Sequence, residues 1–479
     1  MLLIRLLRAL AVVARITGSY ALLLALRRVF RRRDAEGRPI DPPWLVRRTE
    51  ATHARNARRL RDAMLRFRGV FIKLGQVLSI MGGFLPRVYG RELESLQDDV
   101  PPRPFAELRP AFRSTLGQPP EAFFAHIDEA PLAAASLGQV HRARAADGRA
   151  LAVKILYPGI RRLIRVDLNV IRLALWIFHL FVPLKSFDRV YVSLVDLLRR
   201  ETDYLHEAEC MRRVAANFAH VDDVLVPEVI AEATSKDVLT MTFMEGVKIT
   251  DYDAMASAGI DREAVARRLV QCFYKQLFVD RFFHADPHPG NFLVQPGARG
   301  DAPRLVILDY GAICEVSEAT IDGLVDVMRG FLEGQDALVV RGIDRIGFVA
   351  TGGHRELLEK TVRTYFRKLL KVDRTAAAFM RASGHRLLEI ANPEVEMSEL
   401  RPLMKTVEYP DGWFYVERAS ILMFWLVGQI APELDTIQVG FPYVMPLLAD
   451  RIAKEPGAVR PPEPPAVERS AAIRGITPR

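Results

Sequence analysis

HADPHPGN, residues His284 to Asn291, and LVILDYGA, residues Leu305 to Ala312, are the two stretches that decide the fold. The first places Asp286 ahead of Asn291, and the second places Asp309 at the end of an aliphatic run that reads as a strand. An amide and a carboxylate suit a hard cation, while a separate carboxylate can address a nucleophile. Because aspartates that only cap turns do not need this combination, the two stretches predict metal-assisted phosphoryl chemistry.

Lys154 stands in the middle of ALAVKIL, an alternating strand in which a charged side chain needs an anion. Protein kinases supply two anions to such a lysine, namely the nucleotide phosphates and a glutamate on a helix. The segment ETDYLHEAE offers Glu201 as the first choice and Glu207 as the close alternative. ATP and Mg²⁺ are therefore the expected cofactors. The expected residues are catalytic Asp286 and Lys154 and the metal ligands Asn291 and Asp309.

Two further segments match the positions of kinase nucleotide contacts. PLAAASLGQVHRA, from Pro131, stands where a kinase carries its glycine-rich loop. Gly138 alone is expected to give this alanine-rich turn the backbone freedom of glycine. VLTMTFMEG, from Val238, reads as a strand running into a hinge, with Met244 and Glu245 as candidates to present backbone groups to adenine. The expected nucleotide-binding residues here are Ala133, Ala134, Ala135, Ser136, Gly138, Val140 and Met244.

Four signatures in order resemble the UbiB/AarF family of atypical kinase-like proteins, called the ADCK family in animals. They are FIKLGQVLS from Phe71, AAASLGQVH from Ala133, VKIL around Lys154, and HADPHPGN with LDYGA. The resemblance implies a bilobal, kinase-like α+β fold with an additional N-terminal helical KxGQ module. In that family the module covers the nucleotide site, which implies that Lys73 and Gln76 fold over that site. Glu201, the first choice of partner for Lys154, is also counted among the expected nucleotide-site residues.

The same resemblance implies an activity that differs from protein phosphorylation. Because the extra module would block the approach of a protein substrate, ATP hydrolysis coupled to a lipid-related task is implied. The family supports the biosynthesis of ubiquinone and related prenyl quinones, so isoprenoid lipids and quinone-biosynthesis enzymes are the expected partners. Two alternatives stay open: a true phosphotransferase acting on a protein or small molecule, and a nucleotide-gated lipid-binding scaffold.

Changes in composition, together with prolines and glycines that end helices and strands, divide the chain into five segments. They are a basic hydrophobic arm (1–45), a helical KxGQ module (46–104), a kinase-like N-lobe (105–246), a helical C-lobe (247–454) and a disordered proline-rich tail (455–479). Bacterial relatives close to UbiB usually end in an apolar hairpin, whereas this tail is polar. The membrane contact is therefore expected at the N-terminal arm or at the basic amphipathic helix from Asn56 to Phe67.

The chain carries 67 Lys and Arg against 58 Asp and Glu, a formal net charge of +9, with many arginines near the N-terminus. An anionic membrane surface is the expected partner, because no nucleic-acid-binding motif is visible. The apolar run from Ala9 to Leu26 contains Arg15 and a Thr-Gly-Ser stretch, so a membrane span, an interfacial helix and a soluble helix packed on the body all remain open. In the first two cases the arginines after Leu26 favour the cytoplasmic face.

Overall fold

The structure of the chain is a computed structural model. The described residues are 2–33, 39–67, 69–80, 86–93, 102–179, 186–297, 302–348, 410 and 412–454. They fall into two compact units. The first comprises Met1–Ala208 with Val229–Phe243, and the second comprises Glu209–Glu228 with Met244–Arg479. The predicted tail from residue 455 lies outside the described residues.

The helices and strands are labelled here in chain order. The helices are α1 (Leu2–Phe30), α2 (Pro43–Phe67), α3 (Val70–Ile80), α4 (Arg87–Leu93), α5 (Arg109–Leu116), α6 (Ile160–His179), α7 (Ser186–Glu201), α8 (Tyr204–Asn217), α9 (Tyr252–Ser257), α10 (Arg262–Tyr274), α11 (Glu318–Glu333), α12 (Asp336–Ile346), α13 (Trp413–Ile430) and α14 (Thr436–Lys454). The strands are β1 (Arg32–Arg33), β2 (Pro39–Ile40), β3 (His126–Ala134), β4 (Gly138–Arg144), β5 (Ala150–Leu156), β6 (Val224–Leu225), β7 (Val238–Thr242), β8 (Val247–Lys248), β9 (Phe282–His284), β10 (Phe292–Gln295), β11 (Arg304–Ile307) and β12 (Ile313–Glu315).

Helix α2 shows why the N-terminal part of the first unit is helical. It begins at Pro43, thirteen residues before the predicted Asn56, because a proline at the first helical position has its φ already set and needs no N–H partner. Its buried positions, including Leu45, Met64 and Phe67, recur at helical spacing, while its other face carries exposed arginines. The predicted basic amphipathic helix is confirmed and is longer than predicted.

Helix α1 packs one face against α2 and α6. Asn56 of α2 donates a hydrogen bond to Ser19 Oγ at 2.6 Å, and Arg5 forms an ion pair with the buried Asp167 of α6 at 2.7 Å. The segment Ile4–Phe30 is also long and apolar enough to cross a membrane by length and composition, with a mean hydropathy of 1.8. This packing matches one of the three alternatives given for the N-terminal arm, a helix packed on the body of the protein.

An antiparallel sheet in the order β3-β4-β5-β7 forms the second part of the first unit. The strands predicted around residues 139–143, 151–156 and 238–243 are confirmed as β4, β5 and β7. Apolar residues of the central strand β5 and of its edge neighbour β7, such as Val153, Ile155 and Leu239, are fully buried. The sheet therefore holds Lys154 between buried neighbours on β5.

The second unit is mainly helical and contains two small sheets, ordered β6-β11-β10-β8 and β12-β9. Helix α10 begins at its cap Asp261, whose carboxylate accepts hydrogen bonds from two backbone N–H groups, and it packs against α13 and α14. Helices α11 and α12 lie unusually close to each other. A Cβ added at Gly323 would be only 2.5 Å from the carbonyl oxygen of Gly342, so glycine is needed at this crossing.

Candidate active site

The loop from His284 to Asn291 connects β9 to β10 and is closed by its own hydrogen bonds. The N–H of His288 donates to the carbonyl of Asp286 at 2.7 Å, and the Asn291 side-chain amide donates to the same carbonyl at 3.0 Å. Both histidine rings accept backbone N–H groups, from Asp286 at 3.4 Å and from Gly290 at 3.2 Å. The loop is therefore held in one conformation by polar contacts that surround Asp286.

The antiparallel pairing of β10 and β11 brings Asn291 and Asp309 to the same end of a hairpin. Phe292 pairs with Ile307, and the pairing continues through a 2.9 Å hydrogen bond from Leu308 N to the carbonyl of Asn291. Asn291 thus directly precedes one strand, and Asp309 follows the end of its partner. Both side chains are partly exposed, and their amide and carboxylate oxygens are ligands that Mg²⁺ accepts.

Asp286 has a buried partner that the sequence analysis missed. Arg418 on α13 places Nη2 2.8 Å from Asp286 Oδ2, and its side chain is only 5 % exposed. The ion pair fixes the position of the Asp286 carboxylate. The sequence held a signal for it, because Arg418 interrupts the apolar helix WFYVERASILMFWLVGQI and a buried arginine requires an anion.

Lys154 pairs with Glu207, the alternative partner, across a distance of 2.5 Å. The Glu207 side chain is 1 % exposed, and the Lys154 ammonium also lies 5.5 Å from the centre of the Tyr204 ring. Val140 and Leu239 flank the lysine on the neighbouring strands. A buried carboxylate so close to the ammonium holds the lysine in place while leaving part of it accessible.

The first choice of partner, Glu201, was wrong, because Glu201 pairs with Lys73 of α3 at 2.9 Å. The physical reason is a break in the helix. Glu201 is the last residue of α7 and Glu207 lies in the first turn of α8, so the two carboxylates belong to different helices and face different lysines. Gln76 lies on the same helix as Lys73. Nucleotide binding by Lys73, Gln76 and Glu201 stays a prediction.

The alanine-rich segment forms the turn between β3 and β4. Ala133 and Ala134 end β3, Ala135 and Ser136 form the turn, and Gly138 and Val140 lie on β4. The turn is closed by a 2.8 Å hydrogen bond from Ala135 N to the carbonyl of Gly138. The expected role of Gly138 as a flexible residue is wrong, because its φ is not positive; a Cβ there would lie 2.5 Å from the carbonyl oxygen of Ile155.

A sequence model of the ABC1 atypical kinase-like domain matches residues 95–342. This chain belongs to the ABC1 atypical kinase-like family. Its fold is the mixed α+β, kinase-like fold with additional N-terminal helices that the sequence predicted. The predicted resemblance to UbiB-type proteins is confirmed.

Relatives of this ABC1 kinase-like chain occur in bacteria and plants. It is 30 % identical over 434 residues to "Protein ACTIVITY OF BC1 COMPLEX KINASE 8, chloroplastic" of Arabidopsis thaliana, covering 83 % of this chain and 54 % of that protein. It is 35 % identical over 273 residues to "Probable protein kinase UbiB" of Xylella fastidiosa, covering 56 % and 50 %. It is 33 % identical over 296 residues to the uncharacterized protein sll1770 of Synechocystis, covering 61 % and 50 %. The chain spans about half the length of these curated relatives.

A solved structure of Rv3197 with erythromycin, from Mycobacterium tuberculosis, is also similar. The sequence identity is 23 % and the TM-score is 0.49, with coverage of 76 % of this chain and 93 % of that chain. The family assignment rests on the match to residues 95–342.

The ABC1 kinase-like signature LGQVH contains two residues whose structural role was not predicted. The Gln139 side chain accepts from Arg103 N at 2.9 Å and donates to His141 Nε2 at 2.9 Å. His141 Nδ1 donates to the carbonyl of Asp128 at 2.8 Å. Burial lowers the pKa of His141, consistent with the neutral ring that these two contacts require. These side chains hold the segment after Pro102 against β4, the strand that pairs with the Lys154 strand β5.

The predicted hinge residue Met244 is the second residue after the sheet strand β7 and is partly buried. The next carbonyl, that of Glu245, accepts a 2.7 Å hydrogen bond from Gln295 Nε2. Adenine binding by Met244 stays a prediction.

Gly138→Ala is expected to lower the melting temperature, because the added methyl group would collide with the Ile155 carbonyl on the neighbouring strand. The cost of such overpacking is about 1–3 kcal/mol. Thermal denaturation of the variant checks this, with Gly90→Ala as the matched control. Nothing lies within 4 Å of a Cβ at Gly90, and alanine is the better helix former there. Equal melting temperatures for the two variants would contradict the assigned role.

Proposed function

We propose that this ABC1 kinase-like chain is a magnesium-dependent ATPase that acts at the cytoplasmic surface of a membrane in isoprenoid-quinone metabolism. The proposal that the chain binds a magnesium nucleotide rests on the placement of Asn291 and Asp309. Both lie at one end of the β10–β11 hairpin, next to the loop that holds Asp286. Family membership supports the kinase-like class, and one relative is named a probable protein kinase.

The residues fit a magnesium nucleotide by the chemistry of their donors. Asn291 and Asp309 offer the amide and carboxylate oxygens that would hold Mg²⁺, which would neutralise phosphate charge there. Lys154, held by the buried Glu207, would bind the phosphates as a fixed cation. Asp286, held by Arg418, would orient the oxygen that attacks the terminal phosphate. The alanine-rich turn with Met244, Lys73, Gln76 and Glu201 would supply the remaining nucleotide contacts.

The membrane part rests on the outer face of α1. Its exposed side chains combine apolar residues with arginines: Ile4, Leu7, Leu22, Leu24, Val29 and Phe30, with Arg8, Arg15 and Arg28. Phe30 also meets Trp44 of α2 edge to face at 5.4 Å, and both rings are largely exposed. Apolar side chains flanked by arginine and tryptophan are typical of a helix lying in the interface of an anionic membrane. We therefore favour peripheral binding, with isoprenoid lipids and quinone-biosynthesis enzymes as partners.

A phosphotransferase is the second candidate, and the names of the relatives favour it, since one is called a probable protein kinase. The same Asp286 would then orient a substrate hydroxyl instead of water. Radiolabelled ATP separates the two activities. Release of free phosphate faster than label appears on any stable acceptor supports the ATPase, and the reverse order supports the transferase.

Quinone profiling of a strain that lacks the gene tests the proposed pathway. The expected result is a loss of the main isoprenoid quinone, which the wild-type gene restores and Asp309→Asn does not. An unchanged profile in the deletion strain would refute the quinone role. Full restoration by the Asp309 variant would instead support a scaffold for which hydrolysis is dispensable.

A further inference from the structure

The N-terminal helices of the first unit line a partly open cavity of about 340 Å³. Helices α1, α2, α3, α4 and α6 contribute to its lining. The walls are almost entirely apolar and include Val12, Ile16, Met64, Phe67, Leu74 and Ile171. Protein interiors rarely leave voids much larger than a water molecule, and this volume equals that of roughly ten water molecules in the liquid. Its size falls at the small end of ligand pockets, and its walls offer water few partners, so the geometry favours an apolar occupant.

Polar groups line the cavity at one cluster. The Tyr20 hydroxyl lies 2.8 Å from His53 Nδ1 and 2.8 Å from the Tyr89 hydroxyl. Among the described residues, no hydrogen-bond partner is found for the other ring nitrogen of His53. In one tautomer that nitrogen donates and in the other it accepts, so the cluster can bind one more uncharged oxygen group in either case.

The cluster is uncharged, and the neighbouring cations are compensated. Burial lowers the pKa of His53, with a further contribution from Arg27, and burial raises the pKa of Tyr89. Arg27 is paired with Asp41 at 2.9 Å. The cavity therefore offers hydrogen bonds to a neutral head group, and the described residues that line it include no cation for a carboxylate or phosphate.

The opposite end of the cavity is closed by a paired charge. The Arg5 guanidinium lies 5.5 Å and 5.7 Å from the ring centres of Phe67 and Phe71, which line the cavity. Its charge is balanced by Asp167, whose side chain is 1 % exposed. An anionic ligand would gain little from a cation that already has a buried carboxylate partner.

Helix α1 carries apolar side chains on both faces, with arginines beside them on the outer face, which explains how an occupant would arrive. Val12 and Ile16 line the cavity, whereas Leu7 and Leu22 are exposed on the other side together with Arg8 and Arg15. A helix between water and a core would expose few apolar side chains on its outer face. A helix between the interface of a bilayer and a lipid site would carry apolar residues on both faces.

We propose that this cavity binds the hydrocarbon chain of one neutral membrane lipid, whose head carries a hydroxyl or carbonyl oxygen that hydrogen-bonds to the His53 ring nitrogen that Tyr20 does not contact. The proposal deepens the lipid part of the proposed function and does not depend on nucleotide binding. The chain could be prenyl or acyl, since both have the same apolar chemistry, and the experiment distinguishes the two sources.

The test is retention of lipid by the purified full-length protein. The protein is incubated with phosphatidylcholine vesicles that contain radiolabelled geranylgeraniol, monooleoylglycerol or oleate, separated from the vesicles, and counted. The expected result is about one neutral lipid per chain and at least tenfold less oleate. A higher occupancy with geranylgeraniol than with monooleoylglycerol identifies the prenyl source, and the reverse identifies the acyl source.

Two variants connect retention to the cavity. Ala63→Phe fills the cavity from α2 and is expected to abolish retention, whereas Ala51→Phe on the exposed face of the same helix is the matched control. His53→Phe keeps an aromatic ring in place and is expected to reduce retention of the neutral lipids about tenfold by removing one hydrogen bond, of order 1.4 kcal/mol. Asp309→Asn should retain lipid normally, which separates this test from that of the ATPase. No retained lipid in the wild type, or equal retention by wild type, Ala63→Phe and His53→Phe, would overturn the proposal.

Discussion

Asp309→Asn is expected to reduce magnesium-dependent ATP hydrolysis by at least about 100-fold, because a bound metal ion contributes several kcal/mol to charge stabilisation in the transition state. The substitution removes a negative charge while keeping the shape of the side chain. Asp309 Oδ1 accepts a hydrogen bond from Gly311 N at 3.4 Å, and asparagine retains that oxygen. The turn after β11 should therefore fold normally. Phosphate release measured with and without Mg²⁺ checks the prediction.

The matched control for this prediction is Asp253→Asn in the same unit. Asp253 is exposed on α9, and only its backbone carbonyl has a structural contact in the part of the chain that the structure describes, with Ser257. This variant should hydrolyse ATP at the wild-type rate. If Asp309→Asn kept full activity while both variants melted like the wild type, Asp309 would not be a metal ligand.

Glu207→Gln is expected to lower ATP hydrolysis by about 100-fold, because it removes the buried carboxylate that fixes Lys154. The loss should resemble that of Lys154→Met. Because the two side chains act as a pair, the double variant should be little worse than either single variant. Steady-state rates for the three variants give this comparison directly.

Two further glutamates make the test specific. Glu209→Gln changes an exposed residue of the same helix, whose contact with Arg212 at 3.5 Å is worth little, and it should have no effect. Glu201→Gln removes the partner of Lys73 and should leave the Lys154 to Glu207 pair intact. A loss for the exposed Glu209→Gln as large as that for Glu207→Gln would contradict the role assigned to Glu207.

The strands and the kinase-like class could be predicted from the sequence, because their signals are local. Alternation around Lys154 and the aliphatic run before Asp309 marked β5 and β11 directly. The loop from His284 to Asn291 could also be located, since a fixed spacing of acid and amide follows from the chemistry of metal binding. In each case the residues that carry the signal are close together in the chain.

The partners of the predicted residues could not be predicted with the same success, because they come from distant segments. Glu201 and Glu207 look equivalent in the sequence, and only the break between α7 and α8 separates their faces. The role of Gly138 depends on the approach of the Ile155 carbonyl from the next strand, which no turn rule reveals. Arg418 was predictable in part, since a buried arginine needs an anion, but its partner Asp286 was not.

The cavity was not foreseen for a related reason. Its walls come from five helices whose apolar residues look, one helix at a time, like ordinary core positions. Only the packing of α1 against α2 and α6 leaves space between them and brings Tyr20, His53 and Tyr89 together.

Calorimetric titration of the full-length protein with ATP, first with Mg²⁺ and then after chelation, tests the central claim most directly. The account predicts saturable binding of one nucleotide per chain with Mg²⁺ and its loss without the metal, because the carboxylate of Asp309 would then face the phosphates unshielded. Identical heats in the two titrations, or no heat in either, would contradict it.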